Sequence, residues 1–102
     1  MLTVLKSKIR ELVIDQCKVE YSEGSITIPQ DIMQRADIFP YERVEVNSKY
    51  YEGRIVTYAI PGDRVEMNGG AANYFTAGEI VHVNVFKQIS EDLVGTHKPI
   101  II

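Results

Sequence analysis

Alternation of apolar and polar residues is the feature that most restricts how this chain can fold. Val44 and Val46 flank Glu45, and the same two-residue period runs through residues 55–60 and 81–85. A period of two places successive side chains on opposite faces of a β-strand, whereas a helix needs a period near 3.6. Further extended segments are predicted at residues 2–8, 11–21, 25–28 and 64–67. The sequence therefore predicts a mainly β fold of about six or seven short strands.

Helical signals are few. Pro29 is compatible with a first helical turn, and Ile32, Met33 and Ala36 would then share one face of a two-turn helix. A second short helix is predicted over residues 90–94. So many short strands favour a sheet closed into a small barrel, because closure leaves no strand edge exposed. Turns between the segments are predicted at residues 61–63, 68–70 and 77–79.

Size and composition predict one globular domain over residues 1–102, since two separate cores could not be filled by so short a chain. The chain is 45% apolar and 25% charged, which is typical of a globular protein. Eleven Lys and Arg against fourteen Asp and Glu give a net charge of −3, which argues against a nucleic-acid partner. No apolar run approaches the roughly 20 residues that cross a bilayer, so no membrane partner is expected.

The chain's single cysteine, Cys17, cannot form an internal disulfide. With only His82 and His97 it makes a poor metal-binding set, so we expect no metal and interpret all three as structural or surface residues. The first residues form too short an apolar stretch for a secretory leader. Together with the lone thiol, this predicts a cytoplasmic location.

Three short sequences carry a more specific signal: EGSITI at residues 23–28, GRIVTYAI at 53–60 and VEMNGGAA at 65–72. In this order and spacing, with Lys8-Ile9 near the start and His97-Lys98-Pro99 near the end, they resemble the pyruvoyl-dependent aspartate 1-decarboxylase family. The resemblance covers nearly the whole chain. It implies an enzyme that decarboxylates L-aspartate to β-alanine and carbon dioxide, feeding pantothenate and coenzyme A biosynthesis.

The resemblance also implies a fold and a maturation step. The fold would be a closed six-stranded double-psi β-barrel assembled as a homotetramer, with active sites at subunit contacts. Self-cleavage between Gly24 and Ser25 would give residues 1–24 and 25–102 and convert Ser25 into a covalent pyruvoyl cofactor, which acts as an electron sink during decarboxylation. Glycine at position 24 is expected to let the fold strain the carbonyl that Ser25 attacks.

Roles for individual side chains follow from the same resemblance. Arg54 would bind a substrate carboxylate through its planar guanidinium, with Lys8 as a second positive charge. Tyr58 is the implied proton donor after carbon dioxide leaves. Thr57 would form a hydrogen bond near the cleaved bond. Charged oxygens would be held by Asn68 and by the backbone N–H groups of Gly69, Gly70 and Ala71.

Each role has a simpler structural alternative. Gly24-Ser25 is a common turn dipeptide, Arg54 beside a strand is usually a solvated charge, and Tyr58 is an ordinary half-buried sheet residue. Asn68-Gly69 also fits a type I′ hairpin turn. On a regular strand Thr57 faces away from Tyr58, so their convergence requires a bulge or bend.

The chain departs from the family pattern at several positions. Arg10 replaces the usual histidine, and Gly70 replaces an alanine. Tyr21 precedes Gly24 by three residues instead of two, which indicates one inserted residue, and this insertion could slow self-cleavage.

Two further hypotheses stay open, and only the first of them excludes catalysis. In one, the chain is an unprocessed double-psi barrel that acts as a binding module. In the other it is a piece of a larger assembly, whose contact aromatics would be Tyr50, Tyr51, Tyr74 and Phe75.

Overall fold

Eight β-strands form the framework of the computed structural model, which describes residues 1–102. They are β1 (Leu2–Val13), β2 (Gln16–Lys18), β3 (Ser25–Pro29), β4 (Arg43–Ser48), β5 (Arg54–Gly62), β6 (Glu66–Asn68), β7 (Ile80–Ile89) and β8 (Ile100–Ile101). One α-helix, α1, spans Gln30–Arg35, and two 3-10 helices span Gly69–Tyr74 and Glu91–Thr96. The prediction of a mainly β fold with a few short helices is confirmed.

The strands are hydrogen-bonded in the order β2-β6-β3-β5-β4-β7-β1-β8. Although β1 and β2 lie near opposite ends of this order, only Ile14 and Asp15 separate them along the chain. The Ile14 N–H donates to the Glu79 carbonyl at 2.9 Å, and the Asp15 N–H donates to the Val65 carbonyl at 2.9 Å. This one segment therefore crosses from the β7 side of the sheet to the β6 side, and it links the two ends of a curled sheet.

The observed sheet differs in two ways from the closed six-stranded barrel implied by the resemblance. It has eight strands, because β2 and β8 add short edge strands of three and two residues. Its backbone ladder is also open, since no strand pairing joins β2 to β8. The two ends are connected by the covalent crossing at Ile14 and Asp15, which also divides the predicted 11–21 strand between the end of β1 and β2.

One cluster of 19 buried apolar residues fills the interior of the sheet. Strands β4 and β7 contribute alternate valines to it, as the period-two pattern predicts. Strand β3 is different, because all four residues from Ser25 to Ile28 are buried. Its two isoleucines join the apolar cluster, so its other two side chains, Ser25 and Thr27, need buried polar partners.

The helices refine the sequence predictions. Pro29 precedes α1 at the N-cap position instead of lying in its first turn, and Met33 is the residue that α1 buries. The helix predicted at residues 90–94 is the second 3-10 helix. The alternative prediction of a type I′ hairpin turn at Asn68-Gly69 is wrong, because Gly69, with φ of 59°, begins the first 3-10 helix. None of the three helices has the length and apolar character needed to span a membrane.

Candidate active site

Three buried polar side chains meet where β3 pairs with β6. Ser25 lies opposite Asn68 in the antiparallel ladder. The Asn68 Nδ2 donates to Ser25 Oγ and to Thr27 Oγ1, both at 2.9 Å. All three residues are at least nine-tenths buried. Because a buried hydroxyl without a partner is costly, this amide fixes the position of the Ser25 hydroxyl.

The side-chain oxygen of the Asn68 amide lacks a hydrogen-bond partner. Asn68 Oδ1 is buried and accepts no hydrogen bond within the protein. An unsatisfied buried acceptor costs about 1–3 kcal/mol, so this atom calls for a donor from outside the protein. The free acceptor beside Ser25 suits a bound molecule that carries an N–H donor, such as an amino acid.

The backbone of Gly69 packs directly against the segment that precedes Ser25. A Cβ atom at position 69 would lie 2.5 Å from the Glu23 carbonyl oxygen and 3.0 Å from the Gly24 nitrogen. Close approach and the left-handed φ of 59° therefore both require glycine at position 69. Gly24 itself has no such φ, and a Cβ there would come no nearer than 3.5 Å, to the Ala71 nitrogen. The expectation that position 24 needs glycine's conformational freedom is wrong, and that freedom is used at Gly69.

Two cavities flank the Gly24–Ser25 peptide bond. The first, here called the Ser25 cavity, has a volume of about 450 Å³ and includes Ser25, Thr27, Asn68 and Tyr58 among its lining residues. The second, the Gly24 cavity, has a volume of about 600 Å³, and its lining includes Gly24, Arg54, Thr57, Tyr58, Gly70 and Ala71. Tyr58 lines both cavities.

Thr57 and Tyr58 reach the Gly24 cavity without the expected bulge or bend. The β4–β5 ladder runs in unbroken register from Tyr58 to Arg54. On its other edge, β5 pairs with β3 only from Ala59 onward. Residues 54–58 therefore have one free edge, and the cavity opens along this edge, where both faces of the strand contribute side chains.

The Tyr58 phenol is a hydrogen-bond donor in this arrangement. Its hydroxyl donates to Glu23 Oε2 at 3.5 Å. Partial desolvation raises the pKa of Tyr58 above its ordinary value of 10, and the charge and hydrogen bond of Glu23 raise it further. The phenol therefore stays protonated at neutral pH and has a proton to give.

The chain is similar to known proteins over its whole length. The aspartate decarboxylase family profile matches residues 1–102. This chain belongs to the aspartate decarboxylase family. Aspartate 1-decarboxylase of Legionella pneumophila strain Lens is 38% identical over 103 residues, which cover 97% of this chain and 77% of that protein. Aspartate 1-decarboxylase 2 of Polaromonas sp. strain JS666 is 36% identical over 95% of this chain and 79% of its own length. Aspartate 1-decarboxylase of Hyphomonas neptunium is 31% identical over 100% of this chain and 89% of its own length.

The structure of this aspartate decarboxylase family member places the two predicted cations apart. Arg54 is exposed at the Gly24 cavity, where its Nε donates to Asn47 Oδ1 at 3.1 Å. The terminal nitrogens of its guanidinium are left for a ligand. Lys8 lies in β1, paired with Asn84 and Ile101, and it lines neither cavity. Within one chain, therefore, Arg54 is the one of the two predicted cations that lines a cavity beside the Gly24–Ser25 bond.

Sequence reasoning missed several residues of the Ser25 cavity. Thr27 could have been found, because it shares a strand face with Ser25 two residues earlier. Glu66 lies opposite Thr27 in the β3–β6 ladder, and Tyr41 comes from the loop between α1 and β4. Neither has a local sequence signal. Tyr21 also lines this cavity despite the inserted residue that precedes Gly24.

The aromatic contact set needs one correction. Phe75 is 7% exposed and belongs to the apolar core, so it cannot serve as a surface contact. The other three predicted contact aromatics, Tyr50, Tyr51 and Tyr74, are exposed.

Proposed function

We propose that this chain decarboxylates L-aspartate to β-alanine and carbon dioxide, using a pyruvoyl group generated from its own Ser25. The observation that carries the proposal is the buried Ser25–Asn68–Thr27 arrangement beside the Gly24–Ser25 bond, in a chain of the aspartate decarboxylase family. We place the reaction in the cytoplasm, feeding pantothenate and coenzyme A biosynthesis.

Self-cleavage into residues 1–24 and 25–102 is the first part of the proposal. Ser25 Oγ attacks the Gly24 carbonyl carbon, the peptide C–N bond breaks, and the hydroxyl proton passes to the new amine as an ester forms. Loss of the Ser25 Cα proton then breaks the Cβ–Oγ bond and releases the Gly24 carboxylate. Water replaces the amine of the remaining dehydroalanine, which gives ammonia and the pyruvoyl group.

Two contacts prepare this cleavage. The Asn68 amide holds Ser25 Oγ at 2.9 Å, and Gly69 packs against the Glu23–Gly24 backbone from the other side. Nucleophile and carbonyl are therefore positioned by separate elements, β6 and the start of the 3-10 helix that follows it. Holding the hydroxyl and the carbonyl in place in this way lowers the entropy cost of bringing them together for the reaction.

The residues around Ser25 fit a pyruvoyl group and an amino-acid substrate. The pyruvoyl group supplies an electrophilic carbonyl that draws in the electrons released when the α-carboxylate leaves. Around it, Asn68 offers a buried donor and an unused buried acceptor, and Thr27 offers a hydroxyl. Asn68 and the backbone N–H groups of Gly69, Gly70 and Ala71 would hold substrate oxygens.

Arg54 and Tyr58 supply the remaining functions. The free guanidinium nitrogens of Arg54 bind a substrate carboxylate at the Gly24 cavity. The Tyr58 phenol donates its proton to the carbon that carried the lost carboxylate. In the uncleaved chain this phenol donates to Glu23, the residue that precedes Gly24. Thr57 faces the Gly24 cavity, where its hydroxyl can stabilise the developing ester.

Assembly as a homotetramer completes the proposal. L-Aspartate carries two carboxylates, whereas one chain presents a single cation, Arg54, to the Gly24 cavity. Lys8 lies on a different strand and lines neither cavity. A neighbouring copy would supply Lys8 as the second cation, with the active sites at the subunit contacts.

Replacement of the nucleophile tests this function. Ser25→Ala should remain one chain of 102 residues and form no β-alanine from L-aspartate, whereas the wild-type protein should be cleaved and active. Ser22→Ala is the matched control for cleavage, because Ser22 lines the same cavity but does not follow the Gly24 carbonyl that the proposed cleavage requires. A wild-type protein that stays intact and forms no β-alanine would instead support the binding-module hypothesis.

A further inference from the structure

We propose that Tyr41 is a positioning residue for Tyr58, whose phenol it orients by packing an aromatic ring beside it at the rim of the Ser25 cavity. This inference rests on the proposed function, because it assumes that Tyr58 is the proton donor. Nothing in the sequence pattern around Tyr41 signals such a role.

The two rings are neighbours. Their centroids lie 5.9 Å apart with the ring planes inclined at 37°, and both tyrosines line the Ser25 cavity. This separation is within the range of attractive aromatic pairs. Tyr41 is 75% exposed, so burial in the core does not explain where its ring lies.

The backbone of Tyr41 is strained. Its φ is 70°, in the left-handed region that glycine and asparagine adopt readily and that a bulky residue rarely adopts. Strained residues persist where the surroundings hold them, and they concentrate at functional sites. Tyrosine at this position therefore points to a requirement for the side chain that outweighs the backbone preference.

A pair of backbone hydrogen bonds attaches this strained residue to the strand that carries Tyr58. The Tyr41 N–H donates to the Ala59 carbonyl at 2.7 Å, and the Ala59 N–H donates to the Glu42 carbonyl at 3.0 Å. Ala59 is fully buried and directly follows Tyr58 in β5. The position of the Tyr41 backbone is therefore tied to that of Tyr58.

Ionic contacts hold the same loop from the other side. The Lys6 ammonium donates to both Glu42 carboxylate oxygens, at 2.9 and 3.0 Å, and the Phe39 N–H donates to Glu42 Oε1 at 3.0 Å. Lys6 and Glu42 are both partly buried, with side chains 12% and 24% exposed. Strand β1 therefore braces the loop, which allows it to keep Tyr41 in a strained conformation.

Tyr41→Asn separates this role from a structural one. Asparagine accepts the left-handed backbone and removes the ring, so the melting temperature should stay the same or rise. The variant should still cleave itself, while its kcat should fall roughly 3- to 10-fold with KM nearly unchanged, the range expected for loss of one aromatic pair. Tyr41→Phe keeps the ring and should restore kcat. Tyr50→Asn is the matched control, because Tyr50 is 69% exposed and lines neither cavity.

A second readout does not depend on activity. In the uncleaved Ser25→Ala chain with ¹³C-labelled tyrosine, the NMR signal of Tyr58, assigned with Tyr58→Phe, should move in Tyr41→Asn and stay in place in Tyr50→Asn. Unchanged kcat together with an unmoved Tyr58 signal would overturn the proposal. So would a lowered melting temperature in Tyr41→Asn with no rescue by Tyr41→Phe, because that pattern indicates a structural residue. If the Tyr58 signal depends on Tyr41 but the wild-type protein forms no β-alanine, the proposed function fails and the positioning contact stands.

Discussion

Gly69→Ala should slow maturation, because the new methyl group would occupy the space of the segment that precedes the proposed cleavage site. The Cβ atom would lie 2.5 Å from the Glu23 carbonyl oxygen, whereas ordinary contact begins near 3.4 Å. The Glu23–Gly24 backbone must therefore retreat by about 0.9 Å. A misplacement of about 1 Å at a reacting centre costs on the order of 100-fold in rate, so self-cleavage should slow by about that factor.

The same substitution also strains the backbone, and a control must separate the two effects. Alanine at a left-handed φ costs about 1 kcal/mol, which lowers the melting temperature of a chain this size by about 4–8 °C. Gly78→Ala is the matched control, since Gly78 has a φ of 94° but no atom within 4 Å of the place a Cβ would take. Gly78→Ala should lose stability and still be cleaved normally.

The assay follows the uncleaved fraction by gel electrophoresis and intact mass during incubation after purification. Melting temperatures are compared in the Ser25→Ala background, where every chain is whole. Cleavage of Gly69→Ala at the wild-type rate would refute the idea that the contact between Gly69 and residue 23 positions the scissile bond. Equal slowing in Gly78→Ala would attribute the defect to stability alone.

Three further predictions concern the catalytic step. Arg54→Lys should reduce kcat/KM about 10- to 150-fold while leaving cleavage intact, because loss of a charge-assisted forked contact costs about 1.5–3 kcal/mol; unchanged kinetics would make Arg54 a surface charge. Tyr58→Phe should cleave and assemble normally but lose roughly 100- to 10,000-fold in kcat, and near-normal turnover would assign the proton to another group. Because desolvation and Glu23 raise the pKa of Tyr58 above 10, the phenol stays protonated below that pH. The wild-type kcat should therefore show no alkaline loss from this group below about pH 10, and a kcat that falls near about pH 8 in wild type but not in Tyr58→Phe would contradict this assignment.

Most strands were predictable because their side chains alternate, as in β4 and β7, where one face packs on the core. The division of the first eighteen residues into β1 and β2 was not. It depends on Ile14 and Asp15 finding partners at Glu79 and Val65, contacts that are remote in sequence. A period-two pattern reports the faces of a strand, but it carries no information about where the chain crosses to another part of the sheet.

The candidate site was predictable to a similar extent. Ser25, Asn68, Thr57 and Tyr58 were found through motifs whose residues the fold brings together around the Gly24–Ser25 bond. Tyr41 was not, because a loop between α1 and β4 brings it to the Ser25 cavity and its φ of 70° has no signature in the sequence.

The pair Asn68-Gly69 shows why a dipeptide alone misleads. It favours a hairpin turn in isolation. Here the side chain of Asn68 donates hydrogen bonds to β3, and Gly69 turns the chain into a 3-10 helix that packs against residues 23–24.

Intact-mass measurement of the catalytically active protein tests the central claim most directly. The account predicts two chains, residues 1–24 ending in a free carboxylate and residues 25–102 lighter than a chain beginning with serine by the mass of one ammonia. The β-alanine formed per unit time should rise in proportion to the fraction of the lighter chain. A preparation that forms β-alanine at full rate as one uncleaved chain of 102 residues would contradict the account.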